Sequence, residues 1–223
     1  MSEIKAITGG VYLVIDPAME RSLLLSKLAA ALKAGLAAVQ LWNNSLAGTN
    51  KLEYIATVSG LCAAYNVPLF IDNEWELLVE SPFLDGVHFD AIPNDYELIK
   101  RHISRPFLAG ITCSGDVDVV RWADKNRLHY VSFCAMFPSL SAGSCTIVTP
   151  STVKQAKEIT TLPLIVSGGI TPDNMLDLKR QTPFDGIAVI SGIMSAANPY
   201  HEVLRYKNAL TKNYNNYENQ YDK

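Results

Sequence analysis

Eight short apolar runs alternate with segments of helical periodicity along a chain of 223 residues. The runs are rich in Val, Ile and Leu on both faces, as strands of a parallel sheet covered on both sides require. No Gly-x-Gly-x-x-Gly follows the first run, so the commonest dinucleotide turn is missing. These observations predict an α/β fold, a single (β/α)8 barrel. A doubly wound open sheet is the alternative topology.

The elements follow in order. Residues 11–15 read as the first strand and 22–34 as the first helix, with Gly35 as its terminator. Glycine suits that place because it adopts the left-handed conformation that ends a helix. Residues 37–41 form the second strand, and the helix 52–65 ends at Asn66. The third strand, 68–71, leads into a short helix at 75–79. Strands 86–89 and 107–111 are followed by helices 95–102 and 116–126. Strand 130–133 opens into the segment 135–150, rich in Ser, Gly, Thr and Pro and without periodicity. Loops of this length in a compact domain often serve as functional lids. Helix 152–159, strand 164–166, helix 172–180, strand 187–190 and helix 200–210 complete the set. Thr171 and Pro172 fit the cap and first position of their helix. Residues 1–211 read as one barrel domain. Residues 212–223, rich in Asn, Tyr and charge, read as a flexible tail.

Composition narrows the function. Hydrophobic residues make up 48%, enough for a large core, and the net charge is −3. That balance gives no reason to expect a nucleic-acid partner. No apolar run reaches the roughly 20 residues of a membrane span, and the start lacks a secretory signal. The default compartment is the cytoplasm, where the four cysteines stay reduced. They include no Cys-x-x-Cys pair, which argues against structural zinc.

In such a barrel, chemistry sits at the C-terminal ends of the strands. Two turns there carry glycine where a backbone would meet phosphate: Gly168-Gly169 and Ser191-Gly192. Without a Cβ the chain turns sharply and brings bare N–H groups close to an anion. Ordinary strand-to-helix turns are the competing reading. Asp72 reads either as a metal ligand or as a helix cap. His88 reads as an acid, a ligand or a packed histidine. Trp42 reads as a ligand-stacking ring or as rim packing.

The residues resemble a family, the thiamine phosphate synthases and their TenI-like relatives. The likeness rests on Tyr12-Leu13-Val14-Ile15-Asp16, on Gly35 with Val39-Gln40-Leu41, and on Tyr65-Asn66-Val67-Pro68-Leu69. Asp85-Gly86-Val87-His88, Tyr130-Val131 with Phe137-Pro138-Ser139, and Gly168-Gly169-Ile170 with Asn174 continue it. Asp185 through Ser191, then Ile193, close it. The resemblance implies a TIM barrel whose enzymes join an aminopyrimidine diphosphate to a thiazole phosphate, with Mg²⁺. It implies phosphate binding by Gly168, Gly169, Ser191 and Gly192, and substrate contacts from Gln40, Trp42, His88 and Ser139. Gln40, Asp72, Asn73 and Thr112 are the catalytic candidates, and Asp72 with Asp90 the candidate metal ligands.

The diphosphate side departs from the family pattern. Gln-Leu-Arg-x-Lys is replaced by Gln40-Leu41-Trp42-Asn43-Asn44, and Asn-Asp-Arg by Asp72-Asn73-Glu74. Pro93 stands where a second metal-binding Asp is usual, flanked by Asp90 and Asp95. The lid lysine is absent from Ser139-Leu140-Ser141-Ala142, and Ser-x-His reads Thr112-Cys113-Ser114. Two functions stay open: a synthase with a degenerate diphosphate site, or a relative that binds or senses a small phosphorylated ligand without the transfer. The expected partners are phosphorylated small molecules, with no nucleic acid and no membrane. A homo-oligomer is compatible with the sequence.

Overall fold

The structure, a computed structural model, describes residues 5–42, 50–138 and 146–212. Eight parallel strands close on themselves in chain order. They are β1 (Gly10–Ile15), β2 (Ala38–Leu41), β3 (Leu69–Asp72), β4 (Gly86–Phe89), β5 (Leu108–Thr112), β6 (Tyr130–Phe133), β7 (Leu164–Ser167) and β8 (Gly186–Val189). Closure is made by β1 on β8, with Val11 opposite Ile187 and Leu13 opposite Val189. The barrel was legible in the alternation of runs, and the open sheet is excluded.

The helices are α1 (Arg21–Lys33), α2 (Lys51–Ala63), α3 (Leu77–Glu80), α4 (Tyr96–Ile103), α5 (Val117–Lys125), α6 (Pro150–Ile159), α7 (Met175–Gln181), α8 (Ser191–Met194) and α9 (Pro199–Thr211). Most start where a side chain accepts a hydrogen bond from a first-turn N–H. Asn50, Asp95, Asp116, Thr149 and Asn198 do so for α2, α4, α5, α6 and α9. Thr149-Pro150 and Asn198-Pro199 combine a cap with proline at the first position, so α6 and α9 begin earlier than apolar periodicity alone indicates. The expected start at Thr171-Pro172 is corrected: α7 begins at Met175, its cap Asn174 makes no side-chain cap bond, and Thr171 and Asn174 instead bond each other across the turn before it. The Thr171 N–H donates to Asn174 Oδ1 at 2.9 Å, and the Asn174 N–H to Thr171 Oγ1 at 3.2 Å. The single-turn helix α8 had no periodic signal of its own in the sequence. The tail beyond Lys212 lies outside the described residues, as do residues 139–145 of the 135–150 segment.

Two cores result. One lies between helices and strands, as the alternating pattern requires. The other fills the barrel with Ile7, Tyr12, Val14, Ala38, Phe70, Leu108, Tyr130 and Ile165. The rings of Tyr12, Phe70 and Tyr130 meet with centroids 5.6–5.7 Å apart. Neighbouring strands make room for them. A Cβ on Gly110 would sit 2.1 Å from Tyr130 Cζ, and one on Gly86 2.5 Å from Phe70 Cε1.

Opposite the mouth, two Asp-Gly pairs repeat one brace. The Asp85 N–H donates to Leu69 O, its carboxylate accepts from the Leu69 N–H, and its carbonyl from the Leu108 N–H. Asp185 does the same with Leu164 and Gly10. Each brace ties three adjacent strands, at the end of a barrel where recurring residues serve stability rather than chemistry.

Candidate active site

A cavity of about 740 Å³ opens at the C-terminal ends of the strands. Ten of the residues singled out from the sequence line it: Gln40, Trp42, Asp72, His88, Asp90, Thr112, Gly168, Gly169, Ser191 and Gly192. Asn73 lies beside it, joined to Asp72 and Asp90. Ser139 lies outside the described residues. Tyr12, Tyr130, Ser132 and Tyr206 also line the cavity and were not among the sequence candidates. The available signal for Tyr130 and Ser132 was parity: they share a face of β6, and successive strand residues alternate between faces.

One side of the cavity is the turn after β7. Gly168 and Gly169 have φ of +84° and +64°, values that L side chains rarely adopt. Packing is an equal demand. A Cβ on Gly168 would lie 2.4 Å from Ala135 Cβ, and one on Gly169 2.7 Å from Phe137 Cβ. Four successive carbonyls of this turn are tied back. Ser167 O accepts from the Met136 N–H at 2.8 Å and Gly168 O from the Phe137 N–H at 3.0 Å. Gly169 O accepts from Asn174 Nδ2 at 2.9 Å, and Ile170 O from the Tyr206 hydroxyl at 3.0 Å. The turn is left with N–H groups to offer a ligand, which suits an anion. Ser191 and Gly192 begin α8 beside it, where helix geometry leaves the first N–H groups without helical acceptors.

The opposite side is acidic and amide-rich. Gln40, buried on β2, donates from Nε2 to Asp72 Oδ1 at 2.8 Å. Asn73 adopts φ +55°. Its Nδ2 donates to Asp90 Oδ2 at 2.7 Å and to Asp72 Oδ2 at 3.4 Å, while its Oδ1 accepts from the Asp90 N–H at 2.9 Å. Asp72 is therefore a strand residue holding its neighbours rather than a helix cap. Glu74 pairs with Lys51, its two oxygens 2.6 and 2.9 Å from Nζ. Among the described residues, no Lys or Arg lines the cavity.

The carboxylates of this side fit the Mg²⁺ that the resemblance implies. No group of three His, Cys, Asp or Glu side chains gathers among the described residues. Magnesium needs only one or two carboxylates when waters and substrate phosphates complete its shell. Asp72 and Asp90 both line the cavity, and the Asn73 amide joins them where a cation would compete.

A polar chain runs through the barrel interior. The Tyr12 and Tyr130 hydroxyls are 2.9 Å apart, and Tyr130 Oη is 2.8 Å from His88 Nδ1. His88 Nε2 lies 2.8 Å from Thr112 Oγ1, which is 3.1 Å from Ser132 Oγ. Burial lowers the His88 pKa to about 4, so its ring is neutral at pH 7. Burial likewise holds the Tyr12 and Tyr130 hydroxyls well above their usual range, so both keep their protons. Cys113 is buried and its thiol is pushed up to about 12, which leaves it inert.

With this geometry in view, relatives can be placed. The model of the family described as thiamine monophosphate synthase matches residues 11–193. The chain belongs to that family. The thiamine-phosphate synthase of Xanthomonas campestris is 27% identical over 203 residues, covering 91% of this chain and 96% of that protein. The thiamine-phosphate synthase of Methanobrevibacter smithii is 24% identical over 189 residues, covering 85% and 89%. The thiamine phosphate pyrophosphorylase of Pyrococcus furiosus superposes with a TM-score of 0.77 at 20% identity, covering 92% and 96%. Orotidine 5'-monophosphate decarboxylase of Methanocaldococcus jannaschii gives 0.67 at 16% identity, covering 92% and 100%. At these identities the two structures share the barrel fold with this chain.

Proposed function

We propose that this family member is a thiamine phosphate synthase-type transferase, joining an aminopyrimidine diphosphate to a thiazole phosphate. The observation that carries the reading is the turn of residues 167–170, whose four carbonyls are all engaged. Its N–H groups and the Ser191 hydroxyl hold the thiazole phosphate. Gln40, its NH₂ committed to Asp72, offers its carbonyl oxygen to the pyrimidine amine, and Trp42 stacks on that ring. Loss of diphosphate builds positive charge on the pyrimidine methylene, which the Asp72 carboxylate faces. Asp72 and Asp90 would hold a Mg²⁺, which when bound would supply countercharge to the diphosphate. Thr112, hydrogen-bonded to His88 and Ser132, keeps its hydroxyl fixed at the cavity wall. The substrates are small phosphorylated molecules and the setting is cytoplasmic. No helix among the described residues is long and apolar enough to cross a membrane.

One observation favours a second reading. Glu74 stands where the family has an arginine and takes Lys51 for itself. Losing several charge-assisted hydrogen bonds, each about 1.5–3 kcal/mol, lowers the rate by on the order of a thousandfold or more. A protein in that condition binds thiazole phosphate without transferring. Incubation with both substrates and Mg²⁺, followed by chromatography for thiamine phosphate, separates the readings. Product supports the transferase. Tight thiazole-phosphate binding in calorimetry without product supports the binding protein, and no binding of either substrate refutes both.

A further inference from the structure

We infer that the cavity selects a phosphomonoester whose ring carries a fixed positive charge, because the mouth of the barrel is built from acids without a single base. The segments that lead from strand to helix are residues 16–20, 42–50, 73–76, 90–95, 113–116, 134–149, 168–174 and 190. They contain no Lys and no Arg, although the chain has 19 such residues. The same segments carry Asp16, Glu20, Glu74, Glu76, Asp90 and Asp95 among their acids, and Asp72 ends β3. Arg21 and Lys51, which open α1 and α2, are each held by a carboxylate, Glu53 at 3.2 Å and Glu74 at 2.6 Å. The net charge of the whole chain is only −3, so the excess of acid belongs to this end. Charge of one sign around a cleft focuses the field and concentrates counter-ions there.

The inner wall agrees with the rim. Gln40 is 6% exposed and lines the cavity. Asp72 takes its Nε2, and its carbonyl oxygen has no partner among the described residues. A buried acceptor left in this state calls for a donor or a cation. Trp42, also at the wall, brings an aromatic ring of the kind that attracts a cation. Across the cavity, the turn of residues 167–170 offers N–H groups to one phosphate. The two sides ask for opposite charges on one ligand.

The proposed transfer makes such a ligand. The thiazole nitrogen donates its lone pair to the pyrimidine methylene, and the electron pair of the breaking C–O bond leaves with diphosphate. That nitrogen becomes a cation while its ring keeps its phosphate. The coupled product therefore carries the charge pattern that this cavity favours, and neither substrate does. This deepens the proposed function and rests on it for the phosphate end of the cavity.

Calorimetry on the full chain, with a chelator and no Mg²⁺, tests the inference. Thiamine phosphate is compared with its analogue in which carbon replaces the ring nitrogen, which keeps the shape and the phosphate and removes the ring charge. Thiamine phosphate should bind at least about tenfold more tightly, a difference that one cation–π or ion contact supplies. The ratio should fall as salt rises from about 0.05 to 0.5 M, because the rim charges are screened. It should fall again in Glu74→Gln, which removes a rim carboxylate and releases Lys51. Equal affinities overturn the inference, and so does a ratio that neither salt nor Glu74→Gln changes. Thiazole phosphate separates the failures. If it binds while ring charge confers no advantage, charge selection falls and the proposed function stands. If neither it nor thiamine phosphate binds, both fall.

Discussion

Gly192 has no side chain because Tyr206 occupies the space: a Cβ would lie 2.3 Å from the tyrosine hydroxyl. That hydroxyl donates to Ile170 O, so the start of α8, the middle of α9 and the turn after β7 meet at one point. Gly192→Ala is expected to destabilise the fold by about 1–3 kcal/mol through overpacking. It should also weaken thiazole-phosphate binding, because Tyr206 must leave the turn. Thermal melts and calorimetry read the two effects. Tyr206→Phe, which drops the hydrogen bond without the clash, should cost about 1 kcal/mol.

Gly169→Val extends this argument. As a phosphate cup alone, the turn would tolerate the substitution and lose only its ligand. The structure places a Cβ 2.8 Å from Pro138 O and 2.7 Å from Phe137 Cβ, at φ +64°. Loss of thermal stability is therefore expected together with loss of binding. A fully stable variant would contradict this packing.

Glu74→Arg puts a cation back where the family carries one and removes the partner of Lys51. If transfer is limited by missing charge, product formation should rise at least about tenfold, a gain that one charge-assisted bond can supply. The rise should depend on Mg²⁺ and vanish with a chelator. A rate unchanged by the variant would place the limitation elsewhere.

His129 gives a pH signature away from the cavity. Burial lowers its pKa from the usual 6.5, and its Nδ1 accepts from the Ala109 N–H at 2.9 Å, which requires an unprotonated ring nitrogen. The folded value lies below the unfolded one. The contribution is thus complete above about pH 6.5 and is lost as pH falls through the lower, folded value. Denaturant unfolding as a function of pH should show this slope in the wild type and less of it in His129→Gln.

The barrel and most element positions were legible because burial on both faces writes itself into apolar runs. Helix starts were less so. The Thr149-Pro150 and Asn198-Pro199 signals outrank apolar periodicity at α6 and α9, and α8 is too short to have a period. At the site, Gln40, Asp72 and His88 were legible as polar residues ending apolar runs. The role of Asn73 was not, since it depends on Asp90 reaching it from another strand. Tyr12 and Tyr130 were hidden among core residues. Only the space left by Gly86 and Gly110 shows that the interior was cleared for rings.

Asp85 and Asp185 deserve one expected outcome of their own. Replacing either with Ala removes an acceptor from a strand-start N–H, and each is expected to cost about 1–3 kcal/mol while leaving affinity for thiazole phosphate unchanged. Chemical denaturation and calorimetry together check both halves of that statement.

The paired braces have a wider consequence for how such a protein changes over time. They fasten the barrel from the floor, on the far side from the cavity. Changes at the rim, Glu74→Arg among them, are therefore expected to leave the staves in place. The architecture separates the residues that hold the barrel closed from those that line its mouth.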